Sequence, residues 1–491
     1  MNQPSALPAT QDVQPMLIDG EAIADTGSVL HTFNPANGTA HRPTAAAGEA
    51  QVDAAVNAAA RAAAEPAWRD LLPHQRARLL SAIADGMQAQ SEQLARLQML
   101  ENGKVWKECL AQVAGAVATF RYYAAVCETQ GSEMPPARGN YWAMTTYEPF
   151  GVVAAITPWN SPLTMEAQKV APALAAGNAV VLKPSEVTPS AALALGRIAL
   201  QAGLPKGLLN VIPGTGVQAG RALVAHPGVR MISFTGGTAS GRAIAQTAAE
   251  RLVPVALELG GKSPHIVFDD ADADAAVKAV ADGIFEGSGQ SCVAGSRLFV
   301  QRAALPSFID KLATRARSIR VDLPDAPGAQ MGPIATAAHR AKIEAMVAQA
   351  LSDGGELLAG GKRPDGLPQD GSFYLPTIIG GLRNDSALAQ QEVFGPVLCV
   401  LPFDDEEDLI AQANDSVFGL AAGIWTRDYA RAWRVARALQ AGVVWINTYK
   451  QLSISVPFGG YKESGIGREK GISGMRLYQQ SKALIWGLGQ G

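Results

Sequence analysis

The sequence has few cysteines, no long apolar segment and no strong charge of either sign, and each absence narrows the class of protein. Its cysteines, Cys109, Cys127, Cys292 and Cys399, are too few and too scattered for a disulfide framework, and none forms a CxxC pair for zinc. No stretch reaches about 18 uninterrupted apolar residues, and the first ten residues show no basic segment before an apolar one. We therefore expect a cytoplasmic protein with no membrane partner and no bound metal.

Charged residues make up only 17 % of the 491 residues, and the formal net charge is −3. This balance gives no electrostatic basis for binding nucleic acid, so a small-molecule substrate is the better expectation. Hydrophobic residues reach 48 %, which indicates a large buried fraction and subunit interfaces. A chain of this length exceeds one ordinary hydrophobic core, and we expect two or three domains.

One cysteine, Cys292, has sequence neighbours that are typical of a reactive thiol. Cys292 lies among small and glycine residues in the segment 285–297, which leaves its sulfur approachable and lets backbone N–H groups point toward a reacting group. A thiol attacks well once it is deprotonated, and a neighbouring base is the usual means at neutral pH. Cys292 is therefore a candidate nucleophile, although a lone cysteine is more often a small buried hydrophobe.

Glu258 is the candidate base. It ends an apolar run that is typical of a buried strand, and two glycines follow soon after it. A carboxylate in such a place costs desolvation energy unless it has a partner or a task. A cap or an ion pair is the alternative interpretation, about equally common.

From residue 151 onward, short apolar strands alternate with helices of about a dozen residues, which predicts a doubly wound parallel sheet and an α/β fold. Such sheets bind nucleotides at the carboxyl ends of their strands. A strongly helical layer over about residues 52–130 precedes this region, and residues 1 to about 20 look like a loose leader. The second half of the chain repeats the α/β alternation with different spacing.

Two strand ends in this region suggest a nucleotide site. Residues 231–241 read as a strand, a glycine turn and a helix start with the pattern G-x-T-x-x-G, which lets a pyrophosphate reach the helix N-terminus. The pattern lacks one glycine of the usual dinucleotide fingerprint. At the end of an earlier strand, Lys183 and Glu186 lie where a ribose would bind, and an acidic group there favours NAD over NADP. A solvated loop ion pair is the alternative.

The run Tyr141–Tyr147 is rich in β-branched and aromatic residues and predicts a strand. An exposed strand of this kind is prone to aggregate unless another subunit covers it. We interpret it as an oligomerisation arm, with an ordinary edge hairpin as the alternative.

These features coincide with seven motifs whose order and spacing cover roughly residues 20 to 490. The chain strongly resembles the aldehyde dehydrogenase superfamily of the non-phosphorylating, hydrolytic kind. The motifs are TPWN at 157–160, KPSE at 183–186, FTGGT at 234–238, LELGGK at 257–262, GQSC at 289–292, EVFGPV at 392–397 and PFGGYKESG at 457–465.

The resemblance implies a catalytic role for three residues. Cys292 would attack the aldehyde carbonyl to give a thiohemiacetal, whose oxyanion would be held by the Asn160 amide and the Cys292 backbone N–H. Hydride would pass to the nicotinamide and leave a thioester. Glu258 would activate the water that hydrolyses the thioester to a carboxylic acid.

The resemblance also assigns the cofactor, NAD with NADP possible, and its contacts. Lys183 and Glu186 would hold the adenosine ribose, and Glu392 the nicotinamide ribose. Phe394 would pack near the nicotinamide. The cofactor path would be lined by Trp159, Gly236 and Gly241.

The family fold divides the chain into three parts. We expect an NAD-binding domain at 1–131 and 150–258 with a doubly wound parallel sheet, and an α/β catalytic domain at 259–462. A small β oligomerisation arm and a C-terminal segment would occupy 132–149 and 463–491. The expected assembly is a homodimer or a homotetramer.

The resemblance places the substrate tunnel at Ser161, Met165, Gln168, Ser291, Val293, Leu452 and Phe458. Several relatives carry aromatic residues where Ser161, Gln168 and Leu452 stand here, so the pocket should be wider and more polar and should favour a functionalised aldehyde. The alternative is that the backbone sets the tunnel shape. No arginine pair is obvious at these positions, which disfavours a substrate that carries a carboxylate.

Two other functions stay open at this point. A CoA-acylating relative would pass the acyl group to CoA instead of water, but Glu258 in the base position argues against it. A catalytically silent binding or structural member is disfavoured because Cys292, Glu258 and Asn160 occur together. Gly287 and Gly237 stand where many relatives carry Asn and Ser, and neither change removes a catalytic group.

Overall fold

The computed structural model describes residues 13–489, in which two large sheets are covered by helices. The helices of this part of the chain are α1 (Glu49–Ala64), α2 (Pro66–Arg69), α3 (Pro73–Ala89), α4 (Ser91–Asn102), α5 (Trp106–Thr129), α6 (Pro162–Ala175), α7 (Ser190–Gln201), α8 (Arg221–Ala225), α9 (Thr238–Ala249), α10 (Ala273–Phe285), α11 (Leu305–Ser318), α12 (Ala337–Ser352), α13 (Ala387–Gln390), α14 (Glu406–Asn414), α15 (Tyr429–Ala438) and α16 (Gly471–Arg476).

The strands follow the same order along the chain. They are β1 (Met16–Ile18), β2 (Glu21–Ile23), β3 (Val29–Leu30), β4 (Thr44–Ala45), β5 (Tyr141–Pro149), β6 (Val152–Ile156), β7 (Ala179–Lys183), β8 (Leu209–Val211), β9 (Met231–Thr235), β10 (Val255–Glu258), β11 (Pro264–Val267), β12 (Arg297–Gln301), β13 (Glu356–Ala359), β14 (Thr377–Gly380), β15 (Val397–Phe403), β16 (Phe418–Gly419), β17 (Ala421–Trp425), β18 (Val443–Ile446), β19 (Tyr461–Lys462), β20 (Gly465–Ile466) and β21 (Gln479–Gly487).

The first sheet runs in the order β2-β1-β8-β7-β6-β9-β10-β20. Its central strands from β8 to β10 are parallel, and β1 and β20 pair antiparallel at its two sides. Every residue of β6 and β7 is buried, because helices cover both faces of a parallel sheet. The order reverses direction between β6 and β9, as the strand–helix alternation predicts for a doubly wound sheet.

The prediction of a loose leader up to about residue 20 is wrong for residues 16–18. Met16–Ile18 form β1, all three side chains are buried, and Leu17 pairs with Val211 of β8. A strand of three apolar residues is too short to stand out by periodicity, and the neighbouring sheet stabilises it. Residues 1–12 lie outside the described part of the chain.

The second sheet runs in the order β13-β14-β15-β12-β11-β17-β18 and is parallel except at β13. Side chains of β12 alternate between two apolar clusters. Leu298 and Val300 pack with α10 and α11, whereas Phe299 packs with α12, α14 and α15. The second α/β unit predicted from the sequence is thus present.

Helix α5 joins the helical layer to the site. Its apolar residues recur every three or four positions, so one face packs on α3 and α6. Its other face carries Gln112, Gly115 and Thr119, which border a cavity.

The strand predicted at Tyr141–Tyr147 is confirmed as part of β5. It pairs antiparallel with β21 over the whole length of both strands, from Tyr141 with Gly487 to Pro149 with Gln479. Several large apolar side chains of this two-stranded sheet remain exposed, among them Trp142, Ile485 and Trp486.

The division into three domains remains a proposal. In its favour, the boundary proposed after residue 258 falls between β10 of the first sheet and β11 of the second. Within residues 13–489, none of the helices combines the length and the apolar character needed to cross a bilayer.

Candidate active site

A cavity of about 790 Å³ lies where β6, β9 and β10 end and face the second sheet. Residues 158–161, 235–237 and 258–260 form its wall at these strand ends. Helices α5 and α6 and residues 450–458 complete the wall. The residues predicted for the substrate tunnel all line this cavity: Ser161, Met165, Gln168, Ser291, Val293, Leu452 and Phe458.

Cys292 follows a tightly constrained turn. Gly287, Ser288 and Gly289 have φ values of 64°, 58° and 69°, a left-handed conformation that side chains rarely adopt. A Cβ on Gly289 would lie 2.1 Å from the carbonyl oxygen of Gly395, so only glycine fits there. The Ser288 hydroxyl donates to the Gly332 carbonyl at 2.8 Å and fixes the turn from the other side. The thiol is thereby held at the cavity wall, partly exposed.

The surroundings of the Cys292 thiol oppose its ionisation. Removal from water raises the pKa of Cys292 to about 12, and the carboxylates of Glu258 and Glu392 add to the rise. Lys470 acts in the opposite direction. A base or a further positive charge is therefore needed before the sulfur becomes a strong nucleophile.

Asn160 lines the same cavity as Cys292. Its Nδ2 atom is 3.0 Å from the carbonyl oxygen of Gln290, to which it donates one of its two hydrogens. Gln290 is itself fixed, because its Oε1 atom accepts from the Ala335 N–H at 2.9 Å. The second hydrogen of the Asn160 amide has no acceptor among residues 13–489.

Glu258 ends β10 and is buried, and its Oε2 atom has no hydrogen-bond partner in the described part of the chain. Burial raises the pKa of this carboxyl group well above its usual range, and the neighbouring Glu469 raises it further. Nearby Lys169 and Lys470 partly offset this rise. A carboxyl group with a raised pKa is suited to exchanging a proton near neutral pH.

Behind Glu258 lies a buried ion pair that the sequence did not reveal. Lys169 of α6 and Glu469 of the C-terminal segment are 2.6 Å apart and almost fully buried. The Lys169 ammonium also donates to the Ser233 hydroxyl at 3.0 Å, which in turn accepts from Tyr478. Glu469 reaches the site only because the C-terminal segment folds back against β10, and no local pattern predicts this.

The proposed ribose residues lie at the end of β7, outside the cavity wall. The buried ammonium of Lys183 donates to the Pro184 carbonyl at 2.9 Å and lies 3.5 Å from the Glu186 carboxylate. Burial lowers the pKa of Lys183, and the nearby Glu186 opposes this change. The Glu186 side chain is about half exposed, so its carboxylate remains available to a ligand.

The glycine turn after β9 combines open space with close packing. Gly236 and Gly237 line the cavity, and nothing lies within 4 Å of a Cβ built on Gly237. By contrast, a Cβ on Gly241 would lie 2.5 Å from the nearest Leu259 methyl carbon, so glycine permits α9 to approach β10.

Glu392 and Phe394 approach the same cavity from the second sheet. The Glu392 carboxylate accepts from the Gly261 N–H at 2.9 Å, and burial raises its pKa. Phe394 has a φ of 55° and meets the Trp159 ring edge to face at 5.4 Å. His339, which the sequence did not reveal, holds this arrangement through its Nε2 atom, 2.8 Å from the Phe394 carbonyl oxygen.

Two lysines that the sequence also did not reveal lie at or directly behind the wall near Ser161. The buried Lys104 ammonium donates to the Ser161 hydroxyl at 3.2 Å, and Lys450 lines the cavity. The absence of an arginine pair therefore does not mean that this wall lacks cations. Both lysines lie in irregular segments with positive φ at Gly103 and Lys450, where helix and strand periodicity gives no guide.

A cavity that joins a thiol and a buried carboxyl group to the nucleotide-binding edge of a doubly wound sheet is that of a nucleotide-dependent oxidoreductase. The chain belongs to the aldehyde dehydrogenase family, whose sequence profile matches residues 23–484. The predicted resemblance, the α/β fold and the enzyme class are thereby confirmed.

Known proteins are similar to this chain in sequence and in structure over nearly its whole length. It is 41 % identical over 465 residues to (Z)-2-((N-methylformamido)methylene)-5-hydroxybutyrolactone dehydrogenase from Acinetobacter baylyi, with 94 % of each chain covered. A mutant aldehyde dehydrogenase structure from Bacillus cereus has a TM-score of 0.95 at 36 % identity and covers 98 % of both chains. Betaine aldehyde dehydrogenase from Staphylococcus aureus, solved in complex with NAD+, has a TM-score of 0.95 at 37 % identity and covers 97 % of this chain and 96 % of that one.

Proposed function

We propose that this enzyme oxidises a functionalised, polar aldehyde to the carboxylic acid with NAD as the hydride acceptor. The observation that carries the proposal is the single cavity that contains Cys292, Glu258 and Asn160 and continues to the glycine turn after β9. Asn160 is fixed by its bond to Gln290, and Glu258 by the end of β10. Both share the cavity with Cys292, which supports the roles proposed for them.

The residues at the nucleotide end fit a dinucleotide. Gly237 faces open space at the start of α9, where backbone N–H groups and the helix dipole favour a pyrophosphate. Lys183 and Glu186 would hold the adenosine ribose and Glu392 the nicotinamide ribose. Trp159 and Phe394 would pack along the cofactor, and Gly236 and Gly241 would line its path. When bound, NAD supplies the site with a hydride acceptor.

The protein groups divide the remaining work. The Cys292 thiol first passes its proton to Glu258, which releases it to solvent, and the sulfur then attacks the aldehyde carbon. The Asn160 amide and the Cys292 N–H donate hydrogen bonds to the resulting oxyanion. After the aldehyde hydrogen has left as hydride, the acyl group remains on the sulfur as a thioester. Glu258 takes a proton from the water that attacks this thioester, and the carbon–sulfur bond breaks to release the carboxylic acid and the Cys292 thiolate.

The substrate wall favours a polar aldehyde. Ser161 and Gln168 contribute polar groups on α6, and Leu452 is half exposed at the opposite wall. The similar enzyme from Acinetobacter baylyi is named for a substrate that carries a formamide and a lactone. A functionalised aldehyde is consistent with both observations.

We also propose a homodimer or homotetramer in the cytoplasm. The exposed apolar side chains of β5 and β21 support a subunit interface, since they would otherwise remain in water. The described chain has four free cysteines, which fits a reducing compartment.

The test is NADH formation from a panel of aliphatic, aromatic, hydroxylated and amide-bearing aldehydes, with NAD or NADP and with or without CoA. NAD-dependent turnover that does not require CoA, fastest with the polar aldehydes, would support the proposal. Turnover that requires CoA would assign the acyl transfer to a thiol acceptor. NAD binding without oxidation of any aldehyde would contradict the proposed function.

A further inference from the structure

The Ser161 hydroxyl has an unusual hydrogen-bond environment for a residue that begins a helix. Serine at the start of a helix normally accepts from a backbone N–H of the first turn, but the Ser161 side chain makes no such bond with α6. Its oxygen instead accepts from the Lys104 ammonium and from the Gln112 side-chain amide, each at 3.2 Å.

These two bonds decide what the hydroxyl can still do. A hydroxyl oxygen has two acceptor sites and one hydrogen to donate. Lys104 and Gln112 occupy the acceptor sites, and the hydrogen of Ser161, which lines the cavity, has no acceptor among residues 13–489. A positive charge behind the oxygen makes this hydroxyl a stronger donor, because the neighbouring ammonium polarises it.

The ammonium of Lys104 can still donate a hydrogen bond to a further partner. Lys104 is buried, with 9 % of its surface exposed. Among residues 13–489 its ammonium donates a hydrogen bond to Ser161 and forms no ion pair. Glu108, the charged group that acts most strongly on the pKa of Lys104, accepts from the Gly287 N–H at 3.0 Å. Lys450 lines the same cavity and donates to the Asp282 carbonyl at 3.4 Å, again without an ion pair in the described chain.

This donor group lies within reach of the reaction. Ser161, Gln112 and Lys450 line the same cavity as Cys292, so a substrate bound at the sulfur shares this enclosed space with the donors. An apolar substituent there would leave the donors without acceptors, which is unfavourable for buried polar groups.

We propose that Lys104, Ser161 and Gln112 form a recognition site for an oxygen acceptor, a carbonyl or a carboxylate, carried by the aldehyde substrate. This inference rests on the proposed function, because it names the substituent that distinguishes the substrates of the same site. Ser161 donates directly to the acceptor, Lys104 supplies the positive charge, and Gln112 positions the hydroxyl.

The test uses three aldehydes of nearly the same shape and chain length, which end in a carboxylate, a primary amide or an isopropyl group. In the unchanged enzyme, kcat/KM for at least one of the two acceptor-bearing aldehydes should exceed that for the isopropyl aldehyde by about tenfold or more. Ser161→Ala should remove this preference, mainly through KM, and leave oxidation of the isopropyl aldehyde within about twofold. Lys104→Met should lower the rate with the carboxylate more than with the amide if the natural acceptor is charged.

Thr164→Val is the matched control. Thr164 lines the same cavity from the same helix, but its hydroxyl already donates to the Gln112 carbonyl at 3.3 Å, so its loss should leave the preference intact. Equal oxidation of all three aldehydes by the unchanged enzyme would overturn the inference while the proposed function stands. An equal fall with all three in Ser161→Ala would also overturn it, since that is the result of a structural role. If the enzyme oxidises no aldehyde, the proposed function fails and this inference falls with it.

Discussion

At the nucleotide end of the cavity the wall is largely backbone and glycine, whereas at the thiol end it is largely functional side chains. Gly237 provides space after β9, Gly236 packs closely against the Phe234 ring, and Gly241 brings α9 close to β10. At the other end, Cys292 and Glu258 are fixed individually by turns and strand ends.

The two ends also treat charge differently. Near the nucleotide end, Lys183 is paired with Glu186, whose carboxylate is about half exposed to water. At the thiol end, burial and like charges raise the pKa of both Cys292 and Glu258. From this comparison we expect removal of a functional group at the thiol end to impair turnover. At the nucleotide end we expect addition of an atom to impair NAD binding.

Removal of the sulfur should give the largest effect. Cys292→Ala deletes the atom to which the substrate becomes bound, and we expect kcat to fall by at least about a thousandfold. NAD affinity should stay within about threefold, because the substitution lies at the other end of the cavity. Turnover reports on the thiol end, and NAD binding measured by calorimetry reports on the nucleotide end. A Cys292→Ala enzyme with unchanged turnover would show that the nucleophile is another residue.

The next effect concerns the base. Glu258→Gln keeps the shape of the side chain but cannot accept a proton, so turnover should fall by about a hundredfold or more. Because the pKa of Glu258 is raised, its deprotonated form increases as the pH rises, and turnover of the unchanged enzyme should rise with pH accordingly. The variant should lose this part of the pH profile and accumulate acyl-enzyme, which mass spectrometry detects.

A normal pH profile in Glu258→Gln would contradict the assignment. The control is Glu392→Gln, which also changes a buried carboxyl group of the cavity but should raise KM for NAD without accumulation of the acyl-enzyme.

The same contrast explains which parts could be predicted from the sequence. Glu258, Lys183 and Gly236 could be identified because a strand end and the turn after it are set by local pattern, and the alternation of strands and helices specifies the doubly wound sheet. Lys104 and Glu469 could not, because they reach the cavity through long-range packing of an irregular segment and of the C-terminal segment. The short strand β1 was missed for a related reason, since its stability comes from its neighbour in the sheet.

Addition of one methyl group should affect the nucleotide end. A Cβ at Gly241 would lie 2.5 Å from the Leu259 side chain, which would have to move toward the cavity that it lines. We expect Gly241→Ala to raise the KM for NAD by about tenfold, with a smaller change in kcat. Gly115→Ala is the matched control at the other end, since nothing lies within 4 Å of its added Cβ. An unchanged KM for NAD in Gly241→Ala would show that α9 can move away freely.

We expect the smallest effect on NAD binding from removal of a side chain at the nucleotide end, that of Glu186. Glu186 is half exposed and its ion pair with Lys183 has a separation of 3.5 Å, so it adds little to the stability of the fold. Its carboxylate would accept from the ribose 2′-hydroxyl of NAD and repel the 2′-phosphate of NADP. Glu186→Ala should therefore raise the KM for NAD by only about threefold while it lowers the KM for NADP, and the exposed Glu65→Ala serves as a charge-matched control. If Glu186→Ala abolished NAD binding, the nucleotide end would depend on side chains as strongly as the thiol end, and the contrast between the two ends would not hold.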